Sequence, residues 1–306
     1  MLTELVKQSA SLPAGSKLLV LGGGFSGQHV AALVRALGNT ALCSRRKINS
    51  QDADLAFDSA TKLLPTQKAL EGVTHLLSCI PPATDGTDPV LTCLGDQLKT
   101  MPLQWVGYLS TTGVYGDSGG RWVSENDLPH PQQARSQRRL ACEQAWQNSG
   151  LPIQILRLPG IYGPYRSVLQ SINTRRSKMI DKPGQVFSRV HVDDIAGATL
   201  HLIQCTAAGK WPVVVNVTDD LPAASKDLLT YGAKLLGRSL PPLEPFAIAA
   251  KQMSPMALSF WQENRRVSNQ LLCQELGYSL MHPDYHSGLR DCYLVEGFKA
   301  LQTNPL

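Results

Sequence analysis

Apolar residues along this chain fall into short blocks separated by glycine, proline and polar turns, and the spacing within a block alternates between two kinds. Lys17 to Leu21 is a nearly continuous apolar run that ends in Gly22-Gly23-Gly24-Phe25-Ser26-Gly27. From Gln28 to Leu37, Val30, Leu33, Val34 and Leu37 recur every three or four positions, which places them on one face of a helix. Strand, glycine turn and helix make the first half of a βαβ unit. Further runs predict strands at Ala41 to Ser44, Ala53 to Phe57, His75 to Ile80, Gln104 to Ser110, Ile153 to Leu156 and Val213 to Val217. A polar helix is predicted from about Gln132 to Asn148. Runs that are apolar throughout suit strands covered on both faces, so the pattern predicts an α/β fold: a Rossmann-type, doubly wound parallel sheet of seven strands.

Beyond Val217 the strand signal fades. Helices are predicted at Leu228 to Leu236, Ile248 to Phe260, Arg265 to Leu276 and Tyr285 to Leu301, with a proline-rich break over Leu240 to Pro245. The expected organisation is a dinucleotide-binding Rossmann domain over residues 14–218 and a smaller, mainly helical C-terminal region over 219–306, joined by 159–186. Such a region caps the crevice at the carboxyl ends of the strands, where ligands bind in open α/β sheets, so substrate contacts are expected partly from it.

Composition narrows the class. The chain has 306 residues, 43% of them hydrophobic, and no apolar run approaches the roughly 18 to 20 residues of a membrane helix. Met1 to Ser11 carries Glu4 and Lys7 and does not read as a secretion signal, so a soluble, cytoplasmic protein is expected. Seven scattered cysteines without a CxxC pair indicate reduced, packed thiols, with no disulfide frame and no metal site. The net charge of +5 resides in short clusters such as Arg45-Arg46-Lys47 and Arg265-Arg266. Without a long basic face or interleaved aromatics, this favours small anionic ligands over nucleic acid. The partners expected are a small-molecule substrate and, in a homodimer, a second copy of the chain.

Gly22, Gly24 and Gly27 directly follow a strand and open a helix. In that context the first glycine makes the turn, the second admits a pyrophosphate to the backbone, and the third brings helix against strand. Amides at the helix start, those of Phe25 and Ser26, would then hold the phosphates. A site for NAD usually carries a carboxylate about 20 residues further on for the ribose 2′-hydroxyl. Here Ser44-Arg45-Arg46 stands in its place, and guanidinium groups would bind a 2′-phosphate through charge-assisted bonds. NADP(H) is therefore the expected cofactor. Asp58 is either an acceptor for the adenine amino group or a turn-initiating aspartate.

Tyr108-Leu109-Ser110-Thr111-Thr112-Gly113-Val114-Tyr115-Gly116 resembles the fifth-strand signature of the extended short-chain dehydrogenases/reductases, the nucleotide-sugar epimerases and dehydratases. Arg157-Leu158-Pro159-Gly160-Ile161-Tyr162-Gly163-Pro164 resembles their sixth-strand exit, and Val190-His191-Val192-Asp193-Asp194-Ile195-Ala196 the segment that follows. With the glycine turn, these matches run in the family's order over roughly residues 17 to 218. The resemblance implies that Thr111 hydrogen-bonds the reacting oxygen and that Ser110, Pro159, Gly160 and Ile161 lie at the nicotinamide end. It also implies that Cys79, Ile80 and Pro81 run along the adenosine, Cys79 as a packing thiol, and that His191, Asp193 and Asp194 are structural.

One motif departs from the family. Its acid/base pair, Tyr-x-x-x-Lys, aligns with Arg135-Ser136-Gln137-Arg138-Arg139, so Arg135 replaces the tyrosine and Arg139 the lysine. A guanidinium does not cycle a proton near neutrality. The departure resembles atypical subgroups that keep the fold and the dinucleotide site, such as the NADP-binding, sugar-epimerase-like proteins of bacteria and cyanobacteria. Two readings stay open. In the first, the chain is an NADP-dependent oxidoreductase or epimerase acting on a nucleotide-sugar-like or other carbonyl substrate. Arg139 then anchors the nicotinamide ribose, Arg135 polarises a carbonyl or holds an anionic group, and Tyr162 or Tyr115 supplies the proton. In the second, it is a non-catalytic NADP(H)-binding redox sensor or scaffold.

Overall fold

The computed structural model describes residues 2–47 and 54–298. Seven strands form its main sheet: β1 (Lys17–Leu21), β2 (Thr40–Arg45), β3 (Leu55–Ala56), β4 (His75–Ser78), β5 (Trp105–Thr111), β6 (Ile153–Leu158) and β7 (Val214–Asn216). Their order is β7-β6-β5-β4-β1-β2-β3, and every neighbouring pair is parallel. The order reverses direction between β1 and β4, and that switch point opens a crevice beyond the carboxyl ends of the strands. The longer helices are α1 (Leu2–Gln8), α2 (Phe25–Ala36), α3 (Pro89–Thr100), α4 (Ala134–Gln147), α5 (Val192–Ala207), α6 (Ser225–Leu236), α7 (Pro255–Trp261) and α8 (Tyr285–Val295). The region after β7 is mainly helical, as its pattern predicts.

Side-chain alternation along β1 divides the core into two layers. Leu18 and Val20 pack with Val30 and Val34 of α2 and with Ile195 and Leu202 of α5. Leu19 and Leu21 pack on the opposite face with Leu94 and Leu98 of α3 and Trp146 of α4. Helix α3, which is not among the predicted elements, starts at an aspartate that serves two helices. One oxygen of Asp88 accepts from the amides of Val90 and Leu91 at 2.9 and 3.0 Å, and the other accepts from the Trp146 indole at 2.9 Å. Capping α3 and anchoring α4 through one buried carboxylate fixes the outer face of the sheet.

Two of the expected C-terminal helices are corrected. Arg265 to Leu276 is no helix: Arg266–Val267 is a strand paired in parallel with Trp122–Val123, followed by a π-helical turn at Leu271–Glu275. Val267 is buried against Tyr115 and Val123, and its amide donates to Ser188 Oγ at 3.0 Å, so tertiary pairing takes the backbone groups a helix would need. The run Ile248 to Phe260 breaks before Pro255, which has no amide proton to donate. Phe246–Ala249 and Ala250–Gln252 are short turns, and Ser254 caps a separate α7 by accepting from Ala257 N at 3.2 Å. The last helix ends at Val295, short of the expected Leu301: residues 296–298 are not helical, and 299–301 lie outside the described residues, as does Ala53 of the expected third strand. Among the described residues no helix is long and apolar enough to cross a membrane, and all seven cysteines are free.

Candidate functional site

The turn after β1 is shaped by its glycines in different ways. Gly22 has φ +97°, a left-handed conformation, and a Cβ there would meet Ile80 Cγ1 at 2.9 Å. A Cβ on Gly27 would fall 2.5 Å from the Gly22 carbonyl oxygen, so the first turn of α2 rests directly on the loop. Gly24 differs: its φ is −75° and a Cβ there meets nothing within 4 Å. It is the N-cap of the 12-residue helix α2, and no side chain caps the helix in its place. Open space beside a helix N-terminus is a cradle for an anion, because the first amides and the helix dipole both favour negative charge there.

Ser44 lies beneath this turn. It is 1% exposed, its hydroxyl accepts from Gly22 N at 3.0 Å, and its carbonyl accepts from Gly23 N at 2.6 Å. Beyond it, at the end of β2, Arg45 is half-buried and Arg46 exposed. Asp58 heads a turn, pairing its backbone with Leu63 and accepting from Ala60 N at 3.1 Å. Cys79 donates its amide to Leu21 O at 2.8 Å, and burial pushes its thiol far above the ordinary range.

At the carboxyl ends of β5 and β6 lies a cavity of about 760 Å³. Thr111, Arg135, Ser136, Arg139, Pro159 and Gly160 form one side of it, so the fold brings together most of the expected nicotinamide-side residues. The Thr111 hydroxyl caps a short 3-10 turn by accepting from Gly113 N at 3.1 Å. Arg139 donates to Tyr108 Oη at 3.0 Å and to Leu109 O at 3.1 Å. The Arg135 guanidinium sits 3.9 Å over the Phe260 ring of α7, and partial burial lowers its pKa from the usual arginine value. Ile161 packs into the core beside this wall.

The opposite side comes from Phe187 and Arg189 and, within the C-terminal region from which substrate contacts are expected, from Phe260, Trp261, Glu263 and Arg265. Arg265 pairs with Glu263 at 2.6 Å and donates to Gly116 O at 2.7 Å. Arg189 donates to Phe187 O and Ala223 O at 2.8 and 3.0 Å, and burial holds its pKa down at about 10. Arg166 completes the ring, 5.2 Å over Phe25 of the glycine turn. Five arginines and one glutamate line the cavity, so it is cationic.

A buried ion pair supports this wall from behind. Arg157 binds Glu143 through Nη2 to Oε2 at 2.7 Å and Nε to Oε1 at 3.2 Å, while the Ser110 hydroxyl donates to Glu143 Oε1. Ser110 is thus engaged within the fold. Burial works to lower the Arg157 pKa, but its bonds to Glu143 outweigh that and the net shift is upward.

The two phenols considered as proton donors lie elsewhere. Tyr162 directs its hydroxyl at Asp284 O, 3.4 Å away under α8, and Tyr115 donates to Asn216 Oδ1 at 2.8 Å. Neither borders the cavity, and burial raises both pKa values, so in this geometry neither Tyr162 nor Tyr115 is placed to pass a proton into it.

Residues 18–218 match the model of the NAD dependent epimerase/dehydratase family. The chain belongs to that family. A relative from Streptomyces sp, 3-diazoavenalumate denitrifying reductase, is 28% identical over 170 residues, 53% of this chain and 55% of that reductase, so the chain spans about half of the length of that relative. A functionally unknown conserved protein from Silicibacter pomeroyi superimposes with a TM-score of 0.82 at 37% identity, covering 92% of this chain and 99% of that one. UDP-glucuronic acid 4-epimerase from Bacillus cereus, solved in complex with NAD, shares the fold with a TM-score of 0.66 at 18% identity over 93% of this family member and 99% of its own chain.

Proposed function

We propose that this epimerase/dehydratase-family chain binds NADP(H) along the glycine turn and acts as an oxidoreductase or epimerase on an anionic carbonyl substrate held in the cationic cavity. The observation that carries the reading is Arg135. It stands where the family resemblance puts the proton-cycling tyrosine, borders the cavity beside Thr111, and has an aromatic ring as its neighbour with no salt bridge to a carboxylate among the described residues. A permanent cation in that place stabilises negative charge on a reacting oxygen or holds an anionic substituent. Bound NADP(H) would supply or accept the hydride. Thr111 would donate a hydrogen bond to the reacting oxygen, and Arg139, held by Leu109 O, would orient the nicotinamide ribose. The substrate side is assigned to residues 219–306 with 159–186. The Streptomyces relative's name as a reductase agrees with this class of chemistry.

A 2′-phosphate contact from Arg45 and Arg46 leads to an expected preference for NADPH over NADH of about 1.5 to 3 kcal/mol, the size of a charged hydrogen bond. Calorimetric titration of both cofactors measures it. Equal affinities, or an unchanged ratio in the Arg45→Ala, Arg46→Ala double variant, would remove the NADP assignment.

NADPH consumption in the presence of 2-oxo acids and of UDP- and dTDP-sugars tests the catalytic reading. The expected result is turnover of an anionic carbonyl compound, lowered about 10- to 100-fold by Arg135→Ala, against a very slow background with neutral sugar centres. Rapid turnover of a neutral sugar centre that Arg135→Ala leaves unchanged defeats the role given to Arg135. A second reading has its own support, because among the described residues no phenol borders the cavity: a non-catalytic NADP(H)-binding sensor or scaffold. Tight NADPH binding with no turnover of any carbonyl compound would favour it.

A further inference from the structure

His191, Asp193, His282 and Asp291 each present one nitrogen or oxygen atom to a single buried space, and these atoms all lie within 4.8 Å of one another. They come from four places in the fold. His191 ends the strand Arg189–His191 and caps α5, Asp193 sits in the first turn of α5, His282 lies in the loop before α8, and Asp291 is on α8. Their side chains range from 0 to 12% exposed.

The distances divide the four into an inner set and an outer one. Asp193 Oδ2 is 3.7 Å from His191 Nδ1 and 3.6 Å from His282 Nε2. On the far side of the His191 ring, Nε2 is 3.6 Å from Asp291 Oδ2. All three separations exceed a hydrogen bond. The two made by Asp193 approach the roughly 3.3 to 3.6 Å between neighbouring donors that a tetrahedral ion with 2.0 to 2.2 Å bonds requires. The decisive observation is His282: neither of its ring nitrogens makes a hydrogen bond, although its side chain is only 9% exposed. Buried polar groups without a partner are rare, and a cation shared with the neighbouring carboxylate would satisfy this one. The lone pair of His191 Nδ1 takes only a long 3.3 Å contact from the Asp193 amide, so it is weakly committed.

We propose that His191 Nδ1, Asp193 Oδ2 and His282 Nε2 bind one zinc-class divalent cation with a water in the fourth position, and that Asp291, 3.6 Å from His191 Nε2, accepts a hydrogen bond from it once the ion is bound. That outer contact is the carboxylate–histidine–metal arrangement, which fixes the tautomer and makes the ligating nitrogen more basic. Two imidazoles and one carboxylate suit Zn²⁺ and its neighbours, whereas Mg²⁺ and Ca²⁺ demand more oxygen. Because the site is buried, the ion acts structurally and fastens α8 and the preceding loop to the start of α5. Nothing in local spacing betrays the set, since only His191 and Asp193 are close in the chain.

The test uses the full chain, stripped with EDTA, gel-filtered and titrated calorimetrically with ZnSO₄. The expected result is one equivalent bound, a thermal midpoint raised by zinc and restored by EDTA, and a visible Co²⁺ spectrum without thiolate charge transfer. His282→Ala is expected to weaken zinc binding at least about 100-fold, and Asp291→Asn about 10- to 100-fold. Circular dichroism and NADPH titration check that each variant is folded. Should His282→Ala not fold, Asp291→Asn alone decides. No zinc binding by the stripped chain, binding undiminished in the folded variants, or a Co²⁺ spectrum dominated by cysteine thiolate would overturn the proposal.

Discussion

Gly24→Val is expected to lower NADPH affinity by roughly 100-fold or more, the loss of about two charged hydrogen bonds, while leaving the fold intact. The two halves of that expectation have separate physical causes. A Cβ at residue 24 meets no protein atom within 4 Å and the backbone there has φ −75°, which any L-residue adopts, so the free protein accepts the side chain. The volume it fills is the open space at the start of α2, where a pyrophosphate would approach the amides. Gly27→Val is the control with the opposite signature. Its Cβ would lie 2.5 Å from the Gly22 oxygen, so binding and stability should fall together. Circular dichroism, thermal melting and NADPH titration of the two variants separate the cases. Undiminished binding by a folded Gly24→Val protein would mean that the turn is only structural.

What can be read from the chain follows a physical divide. Central strands of a parallel sheet are apolar on both faces, so β1, β4, β5 and β6 stand out as runs without any knowledge of their neighbours. The glycine turn is equally local, because Gly22 and Gly27 are required by atoms of the same loop and its adjoining strands. Arg266–Val267 shows the limit. Val267, Leu271, Leu272 and Leu276 have helix-like spacing, yet Val267 is buried by a strand partner, Trp122–Val123, from much earlier in the chain. Tyr162 shows it again, since its hydroxyl is turned from the cavity by α8 docking against it: Asp284 O accepts from it and Gly288 leaves just enough room for its ring.

The same divide runs through the site. Thr111, Arg135 and Arg139 belong to one β-strand and one helix that meet directly, and the order of motifs suffices to pair them. The far wall is built from Phe187, Arg189, Phe260, Trp261 and Arg265, and its membership depends on how the C-terminal region folds over the sheet. Arg265-Arg266 is visible in the sequence as a basic pair, but only the structure separates the two roles. Arg265 borders the cavity, while Arg266 turns to Gly120 O. Helix α7 has no buried residue and Phe260 is 55% exposed, so this wall is held mainly at its ends and by Arg135 resting on Phe260.

Behind that wall, Glu143→Ala is expected to destabilise the fold by about 3 to 5 kcal/mol, a large part of the total stability of an ordinary domain. The reason is what it leaves behind. Arg157 is 5% exposed on its side chain and Glu143 1%, so solvent does little to screen the pair or to receive the orphaned cation. One neighbour that stays, the Tyr115 ring 4.8 Å from the guanidinium carbon, cannot replace a bidentate carboxylate. The Ser110 hydroxyl loses its acceptor in the same step. Replacing both charges by apolar groups of similar volume, Glu143→Leu with Arg157→Met, should recover most of the loss, because the cost lies in the unpaired charge more than in the absent attraction. Urea unfolding of the two proteins measures the difference, and a loss below about 1 kcal/mol for Glu143→Ala would show that Arg157 finds water or another partner. If the double variant refolds to near-native stability yet binds NADPH poorly, the ion pair also sets the position of β5 and α4, on which Thr111, Arg135 and Arg139 depend.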